Sequence, residues 1–525
     1  MEPTPSTPAE SRYNSLSTFR DPFLNRAWDC SELTIPSLLP RNVKDGNSTT
    51  SAQVLPTPWQ SMGARGVNNL AARLLMIALP PNIPMFRQRI DEILLAQYQV
   101  DDATKTKLES ALGKFERAVM TEIEMSGDRA GVFEMIKHLL VAGNCLIHDS
   151  KMGFRVYHLS NYVCRRDPAG NPLEIIAHEK IDPVVLPDEL RQYVQKDKRY
   201  GDDKPVDLYT RIVRTDHEWV VYQEICAMKV PGTDGTYPLD KCPWLPLRFT
   251  RVDGEDYGRG YVEEYLGDLR SLEDLTQALV EGARAAAKLL FLVNPNGTTR
   301  QKDLAESPNG AIINGNAEEV STLQAEKFHD FKIAAEQARV IEERLSYAFL
   351  LHSAIQRDAE RVTTEEIRYM AQELEGTLGG FYTLFAQEWQ LPYVKIKIAR
   401  MQKERRLPQL PKGVVRTTIV TGVEALGRGN DRQKLVNYAR TLSEVFGPQQ
   451  VQQYVDPLEF SERLATADGI DTKGLVPDRA TINAQMQQQQ MNEMIQKLGP
   501  QAIATGGKLM EGQFNGQQGQ PSAGQ

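Results

Sequence analysis

The chain has 525 residues, 41% of them apolar and 25% charged, which excludes a fibre or a wholly disordered polymer and leaves room for two to four structural units. Lys and Arg total 61 against 69 Asp and Glu, a formal charge of -8, and that balance disfavours tight, sequence-blind gripping of nucleic acid, which needs a concentrated basic excess. Five scattered cysteines without a CxxC pair argue for reduced thiols rather than a disulfide framework, and no segment reaches the roughly 20 apolar residues of a membrane span.

Taken in chain order, residues 1–22 are Pro- and Ser-rich, carry no signal-peptide pattern, and read as a flexible arm. Thr57-Pro58 pairs an N-cap with proline at the first helical position, and Leu70, Leu74 and Leu75 keep helical spacing, so a helix is expected over Trp59–Leu79. From Asp101 to Cys145 the pattern stays helical, with Phe115, Val119, Met120 and Ile123 on one face and a break at Gly127-Asp128. Short β-prone runs follow at Phe154–Tyr157, Ile175–His178, Asp207–Val213 and Trp219–Tyr222; separated by turn signals, they predict a twisted antiparallel sheet. The charged stretch Asp197–Pro205 reads as a solvated loop.

A helix begins near Tyr261, with Tyr265, Leu269, Leu272, Leu275, Leu279 and Ala283 at steps of three or four, and ends in the small run Ala285-Ala286-Ala287. Phe291-Leu292-Val293 and Gly310-Ala311-Ile312-Ile313, each beside an Asn-Gly signal, predict a small β module. A second helix over Phe328–Phe349 carries Phe331, Ala335, Ala338, Ile341 and Leu345 on its stripe, so two rods of about 35–40 Å lift the module away from the body. Thr363-Thr364-Glu365-Glu366 is a capping box that opens a third helix, with a kink expected at Gly379-Gly380 and a change of course at Pro392. Helix is expected again over Gln433–Gly469, interrupted at Gly447-Pro448 and Pro457, before a Gln/Gly-rich tail.

This order, together with particular phrases, resembles the portal proteins of T-seven-like short-tailed phages. The phrases are Thr34–Leu38, Thr57–Gln60 with Gly63–Gly66, Asp234–Pro238, Glu263–Glu273, Arg361–Arg368 and Leu378-Gly379-Gly380. The resemblance, from about Phe23 to Asp471, implies an α+β, mostly α, portal fold assembled as a ring, usually of twelve copies. By position it implies a wing over 23–260, stem helices over 261–288 and 328–350, and a clip over 289–327 between them. A tunnel loop over 351–363, a wing spine helix over 364–429 and a helical crown over 430–483 complete it; the arm over 1–22 and the tail over 484–525, read as mobile from composition, lie outside the match. It further implies a conduit at one capsid vertex for double-stranded DNA packaging and ejection. The implied partners are the terminase large subunit, major capsid and scaffold proteins, and tail adaptor and internal core proteins, met in a virion assembled in the host cytoplasm.

On that plan Arg357 and Arg361 in the tunnel loop are the leading candidates to guide DNA phosphates, with Lys332 and Arg339 on the second stem helix behind them. Pairing of Arg357 with Asp358 and of Arg361 with Glu365 is the bland alternative. Phe291, Leu292 and Val293 are candidates for contact between neighbouring clips, with packing inside the clip as the alternative, and Arg300 and Lys302 for docking of motor and tail. Within Glu255–Lys288 eight acids face four bases, which would repel duplex DNA mildly if that surface lined the channel.

Catalysis has little to stand on. Gly506-Gly507-Lys508 is followed by Leu509 and lacks the earlier glycine of a phosphate loop, the seven histidines show no metal spacing, and Gly258-Arg259-Gly260 is too short for a dinucleotide fingerprint. The expectation is a non-enzyme with no cofactor and no metal. The competing classes are a DNA-processing enzyme and another structural virion protein such as a tail adaptor ring.

Overall fold

The computed structural model describes residues 7–41, 55–80, 85–90, 102–151, 153–196, 205–286, 290–308, 311–323, 328–351, 378, 380–409, 415–419, 427–447 and 455–467. The chain divides into two compact units, Met1–Ala425 and Leu426–Gln525.

The first unit opens on a helix where a mobile arm was expected. α1 runs Ala9–Glu32 and buries Tyr13, Leu16 and Leu24. Its apolar stripe is thin, and Ser, Asn and Arg residues form most of its outer face, so composition alone hides it. Arg20 points inward and donates to the Tyr13 hydroxyl (2.8 Å) and the Ser160 carbonyl (2.9 Å). α2 (Met62–Ala78) starts three residues later than expected. Then come β1 (Phe86–Ile90), α3 (Asp102–Met125) and α4 (Asp128–Ala142), the last two separated at Gly127, whose φ of 69° lies in the left-handed region open to glycine.

The β-rich part comprises β2 (Asn144–Ser150), β3 (Gly153–Tyr157), β4 (Tyr162–Arg166) and β5 (Pro172–Ile181), then α5 (Asp188–Lys196) and β6 (Val206–Arg214). β7 (Glu218–Ile225), β8 (Met228–Lys229), β9 (Gly235–Pro238) and β10 (Trp244–Arg248) complete it. These strands make two antiparallel sheets rather than one, ordered β10-β2-β3 and β4-β5-β6-β7-β8, with β9 also on β7. α1 closes the larger sheet: Ala9, Tyr13 and Leu16 meet Val163, Ile176 and Tyr209, while Leu24 and Ala27 join Tyr162, Ile175, Ile212 and Trp244 in the main core.

From Gly260 the chain leaves this body as α6 (Tyr261–Glu264) and α7 (Leu266–Ala286), passes through β11 (Leu290–Val293), α8 (Gln301–Glu306) and β12 (Val320–Leu323), and returns as α9 (Phe328–Ala348). β11 pairs with β12, not with the expected run at Gly310–Ile313; Ala311–Ile313 is irregular and Ile312 is fully exposed. The side chain of Glu319 decides the register, accepting hydrogen bonds from Thr299 N (2.9 Å) and Thr299 Oγ1 (2.9 Å) and so fixing the turn into β12. The expected capping box at Thr363 lies outside the described residues.

The expected change of course at Pro392 takes the form of a π-helical turn over Ala386–Gln390 leading directly into α10 (Leu391–Lys403), which absorbs the missing proline N–H without ending the helix. A buried ionic cluster locks α10 in place. Lys397 Nζ lies 2.7 Å from Asp128 and 3.3 Å from Asp149, Arg400 lies 3.2 Å from Asp149, and Tyr393 donates to Asp128 at 2.7 Å. Burial pushes the Asp149 carboxyl up, against Lys397 and Arg400. β13 (Val415–Ile419) then returns to pair with β1. In the second unit α11 (Gly427–Phe446) ends at Gly447, φ 82°, and α12 (Pro457–Ala467) begins on Pro457.

Candidate nucleic-acid interface

The helix–module–helix projection is built from its root outward. Gly143, Gly258 and Gly260 cross backbone to backbone: a Cβ on Gly260 would sit 2.9 Å from the Val141 carbonyl, and one on Gly258 2.7 Å from that of Thr250. Asn144 seals the crossing, its amide donating to Gly258 O (2.8 Å) and its oxygen accepting from Gly258 N (2.7 Å). The Gly-Arg-Gly stretch is thus a close-approach turn at the root of the helix–module–helix projection.

α7 and α9 run antiparallel. Tyr261 donates to the Ala348 carbonyl (2.7 Å), Asp268 pairs with Arg344 (3.3 Å), and farther out the Phe331 ring fills the space that a side chain at Gly282 would need. Near the root Leu269, Leu272, Leu345 and Phe349 are buried; outward, Leu275, Leu279 and Phe331 are half-buried, while Ala283 and Ala335 are exposed. One chain therefore fills the root of the pair and leaves the outer faces open.

α2 anchors the returning end. Asn69 donates to the carbonyls of Phe349 (3.0 Å) and Leu350 (3.3 Å), and Gly66 meets the Phe349 ring face. Leu350 itself adopts φ 54°, a left-handed turn that sends the chain on toward 352–377. The segment before α2 clasps the other helix: the backbone N–H groups of Trp59 (2.8 Å) and Gln60 (3.3 Å) donate to Glu273, and Arg284 lies over the Trp59 ring. Gln60 also donates to Leu33 O (2.7 Å) and accepts from Gly63 N (2.8 Å). The matched wording at Thr57–Gln60 and Gly63–Gly66 thus carries these contacts, although their role was not legible in the residues.

The acidic excess of this region has mostly local work. Glu255 pairs with Arg259, Glu263 with Arg259 and Arg26, and Asp268 with Arg344, while Asp256 accepts from Arg166 N, Glu273 from Trp59 and Gln60, and Glu281 from Gln277. Among the eight acids this leaves Glu264 and Asp274 without a contact of that kind. Glu255, Glu263 and Asp268 thus face arginines, whereas Asp256, Glu273 and Glu281 accept from neutral groups and keep their charge.

Arg357 and Arg361 lie outside the described residues. Lys332 is exposed on α9, and Arg339, also exposed, pairs with Glu336 at 2.7 Å, a solvent-screened contact. In the module, Leu292 is 52% exposed opposite Ser321 and Val293 is half-buried opposite Val320, while Phe291 pairs by backbone with Thr322. Arg300 and Lys302 are exposed at the start of α8. No helix among the described residues is long and apolar enough to cross a membrane.

A family model described as bacteriophage head to tail connecting protein matches residues 6–476. The chain is 41% identical over 507 residues to the portal protein of Escherichia phage T7, covering 95% of this chain and 93% of that one. It is also 41% identical to the portal protein of Enterobacteria phage T3, over 89% of this chain and 88% of its relative, and 31% identical to that of Enterobacteria phage SP6, over 82% of each. Among solved structures, a chain from the neck of a native gene transfer agent particle aligns over 77% of this chain and 89% of its own at 12% identity and a TM-score of 0.33.

Proposed function

Because this chain belongs to the bacteriophage head-to-tail connecting proteins, with the portal proteins of T7-like phages, we propose that its copies close into a ring whose stems surround a DNA conduit. A portal role at a capsid vertex in DNA packaging follows from that membership. The ring is supported by the open faces of the stem. On α9, Ile333 (52% exposed), Val340 (39%) and Tyr347 (65%) recur every seven residues; on α7, Ser271, Ala278 and Ala285 are exposed at the same spacing.

Seven residues are two helical turns, so each set forms one stripe along its helix. A stripe of large side chains and a stripe of small ones, on the same hairpin but on different helices, suit a head-to-tail contact in which α9 of one copy meets α7 of the next. Such a contact generates a closed ring when the angle permits.

The finer assignments share this reading. Arg357 and Arg361 guide phosphates at the constriction, with Lys332 and Arg339 contributing less once Arg339 is paired to Glu336. Phe291, Leu292 and Val293 join neighbouring clips, and Arg300 and Lys302 face the terminase motor and then the tail. Wing, clip, tunnel loop and crown take the positions expected from the resemblance, with twelve copies, capsid, scaffold and internal core proteins as partners, assembly in the host cytoplasm and no catalytic role.

Negative-stain images of the purified protein should show annular particles with a central opening. The double variant Ile333→Asp/Val340→Asp should remain folded by circular dichroism yet sediment as monomers. Wild-type particles without an opening would end the conduit reading, and rings from the double variant would end the assignment of the stripes.

A further inference from the structure

The open faces of the two stem helices carry charge in a matching order. On α9, Lys332, Glu336, Arg339 and Glu343 recur at steps of four, three and four, so they form one stripe of alternating sign, and all are exposed. On α7, Arg270, Asp274, Gln277 and Glu281 keep the same steps; the charged members are exposed and Gln277 is half-buried. Each stripe lies on the side of its helix away from the packing within the chain, opposite Leu272 and Leu279 on α7 and opposite Ile341 and Leu345 on α9. The two stripes therefore do not meet inside one copy.

Their heights along the stem are set by the antiparallel pairing, through Asp268 with Arg344 and Gly282 beneath the Phe331 ring. To within one residue, Lys332 stands level with Glu281, Glu336 with Gln277, Arg339 with Asp274 and Glu343 with Arg270. Rotation about an axis along the stem keeps every residue at its height, so α9 of one copy would face α7 of the next without a single like-charge match. Setting α9 against α9, or α7 against α7, at equal height would instead put like charges together. The chain itself makes little use of these groups. Among the described residues Lys332, Asp274 and Glu343 have no ion pair, and Glu281 accepts from the neutral Gln277. Arg339 and Glu336 pair in solvent, 65% and 59% exposed, and Arg270 meets Asp29 while 55% exposed.

We infer that Lys332 and Arg339 of one copy pair with Glu281 and Asp274 of the next, and Glu343 with Arg270, in a charge seam that fixes the register between neighbouring stems. The inference rests on the ring reading above and says which helix meets which. Lys332 and Arg339 immediately precede Ile333 and Val340, and Asp274 and Glu281 lie one turn to either side of Ala278, so the charges border the apolar stripes. Charges in that position select the partner and the register of paired helices. With these pairs made, the stem bases have little charge left for phosphates.

Two charge-reversed variants of the full chain test the seam, Lys332→Glu/Arg339→Glu and Asp274→Lys/Glu281→Lys. Every changed position is exposed, and circular dichroism should show wild-type helix content. In either variant alone the reversed stripe meets like charge on its neighbour. Half-assembly into rings at low salt, followed by sedimentation velocity and negative-stain images, should then need about tenfold more protein than the wild type. Mixed in equal amounts, the two variants should assemble at the wild-type concentration, because α9 of each then faces α7 of the other with opposite charge. At about 1 M KCl, where the screening length is about 3 Å, the differences should vanish. A variant that alone assembles like the wild type at low salt, a mixture no better than its components, or a deficit that persists at high salt overturns the inference. Any of these beside normal wild-type rings defeats the seam alone, whereas a wild type that forms no rings defeats the ring reading.

Discussion

At Gly66 the fold depends on the absence of a single carbon. A Cβ there would approach the Phe349 ring to 2.5 and 2.7 Å, closer than carbon atoms tolerate, at the point where α2 supports the end of α9. Gly66→Ala should therefore destabilise the protein by about 1–3 kcal/mol, the usual cost of overpacking a tight contact. Thermal melting would measure it, and adding Phe349→Leu should recover much of the loss. An unchanged melting temperature for the single variant would show that the ring moves aside freely. Gly63 works the same way against the Leu33 carbonyl, so the Gly-Ala-Arg-Gly phrase is two close approaches one helical turn apart.

Among the elements, the β7–β8 hairpin departs most from local rules. Its two connecting residues, Cys226 (φ 50°) and Ala227 (φ 63°), both lie in the left-handed region, the geometry of a type I′ turn that favours Asn-Gly. Replacing Cys226-Ala227 by Asn-Gly should raise stability by about 1 kcal/mol, read as a higher denaturant midpoint at unchanged slope; a lower midpoint would refute the strain. The same turn shows why some elements were legible and others were not. Strands β6 and β7 announce themselves by β-branched and aromatic runs, and the two stem helices by their spacing, because burial on one face imposes a period. β8 and its turn have no such signature, since the backbone conformation is imposed by the sheet rather than by the residues that adopt it. α1 stayed hidden for another reason: its inward face includes Arg20, a residue that patterning counts as surface but that satisfies three acceptors beneath the helix. The β12 strand was misplaced because an Asn-Gly signal is local, whereas Glu319 reaches back twenty residues to Thr299.

For the molecule as a whole, acidity should be the weak side. His148 is stacked on Trp244 at 3.9 Å and His158 is packed near His138, and burial lowers both to about 4. The ordinary value is about 6.5, so as pH falls the unfolded chain takes up these protons first. Stability is then complete above about pH 6.5 and declines toward pH 4, by up to ~3 kcal/mol for each histidine. His148→Gln should flatten the decline in denaturation experiments at successive pH values, whereas an identical pH dependence would assign it to other groups. At this scale the candidate interface was legible as an arrangement, helix, small module, helix, but not as a set of contacts. Which acids hold the root and which face outward depends on partners far away in sequence, as with Glu263 and Arg26 or Glu273 and Trp59.

α1 ties the two working parts of the first unit together. Its first turns are fastened to the large sheet through Arg12 to Glu174 and the Ala9 N–H to Glu224, and its last turns to α6 and α7 through Arg26 to Glu263 and Asp29 to Arg270. Those fastenings lie along one helix of 24 residues, about 36 Å from end to end. A load that tilts the α7–α9 pair is thus delivered to the large sheet as a push or pull along a strut.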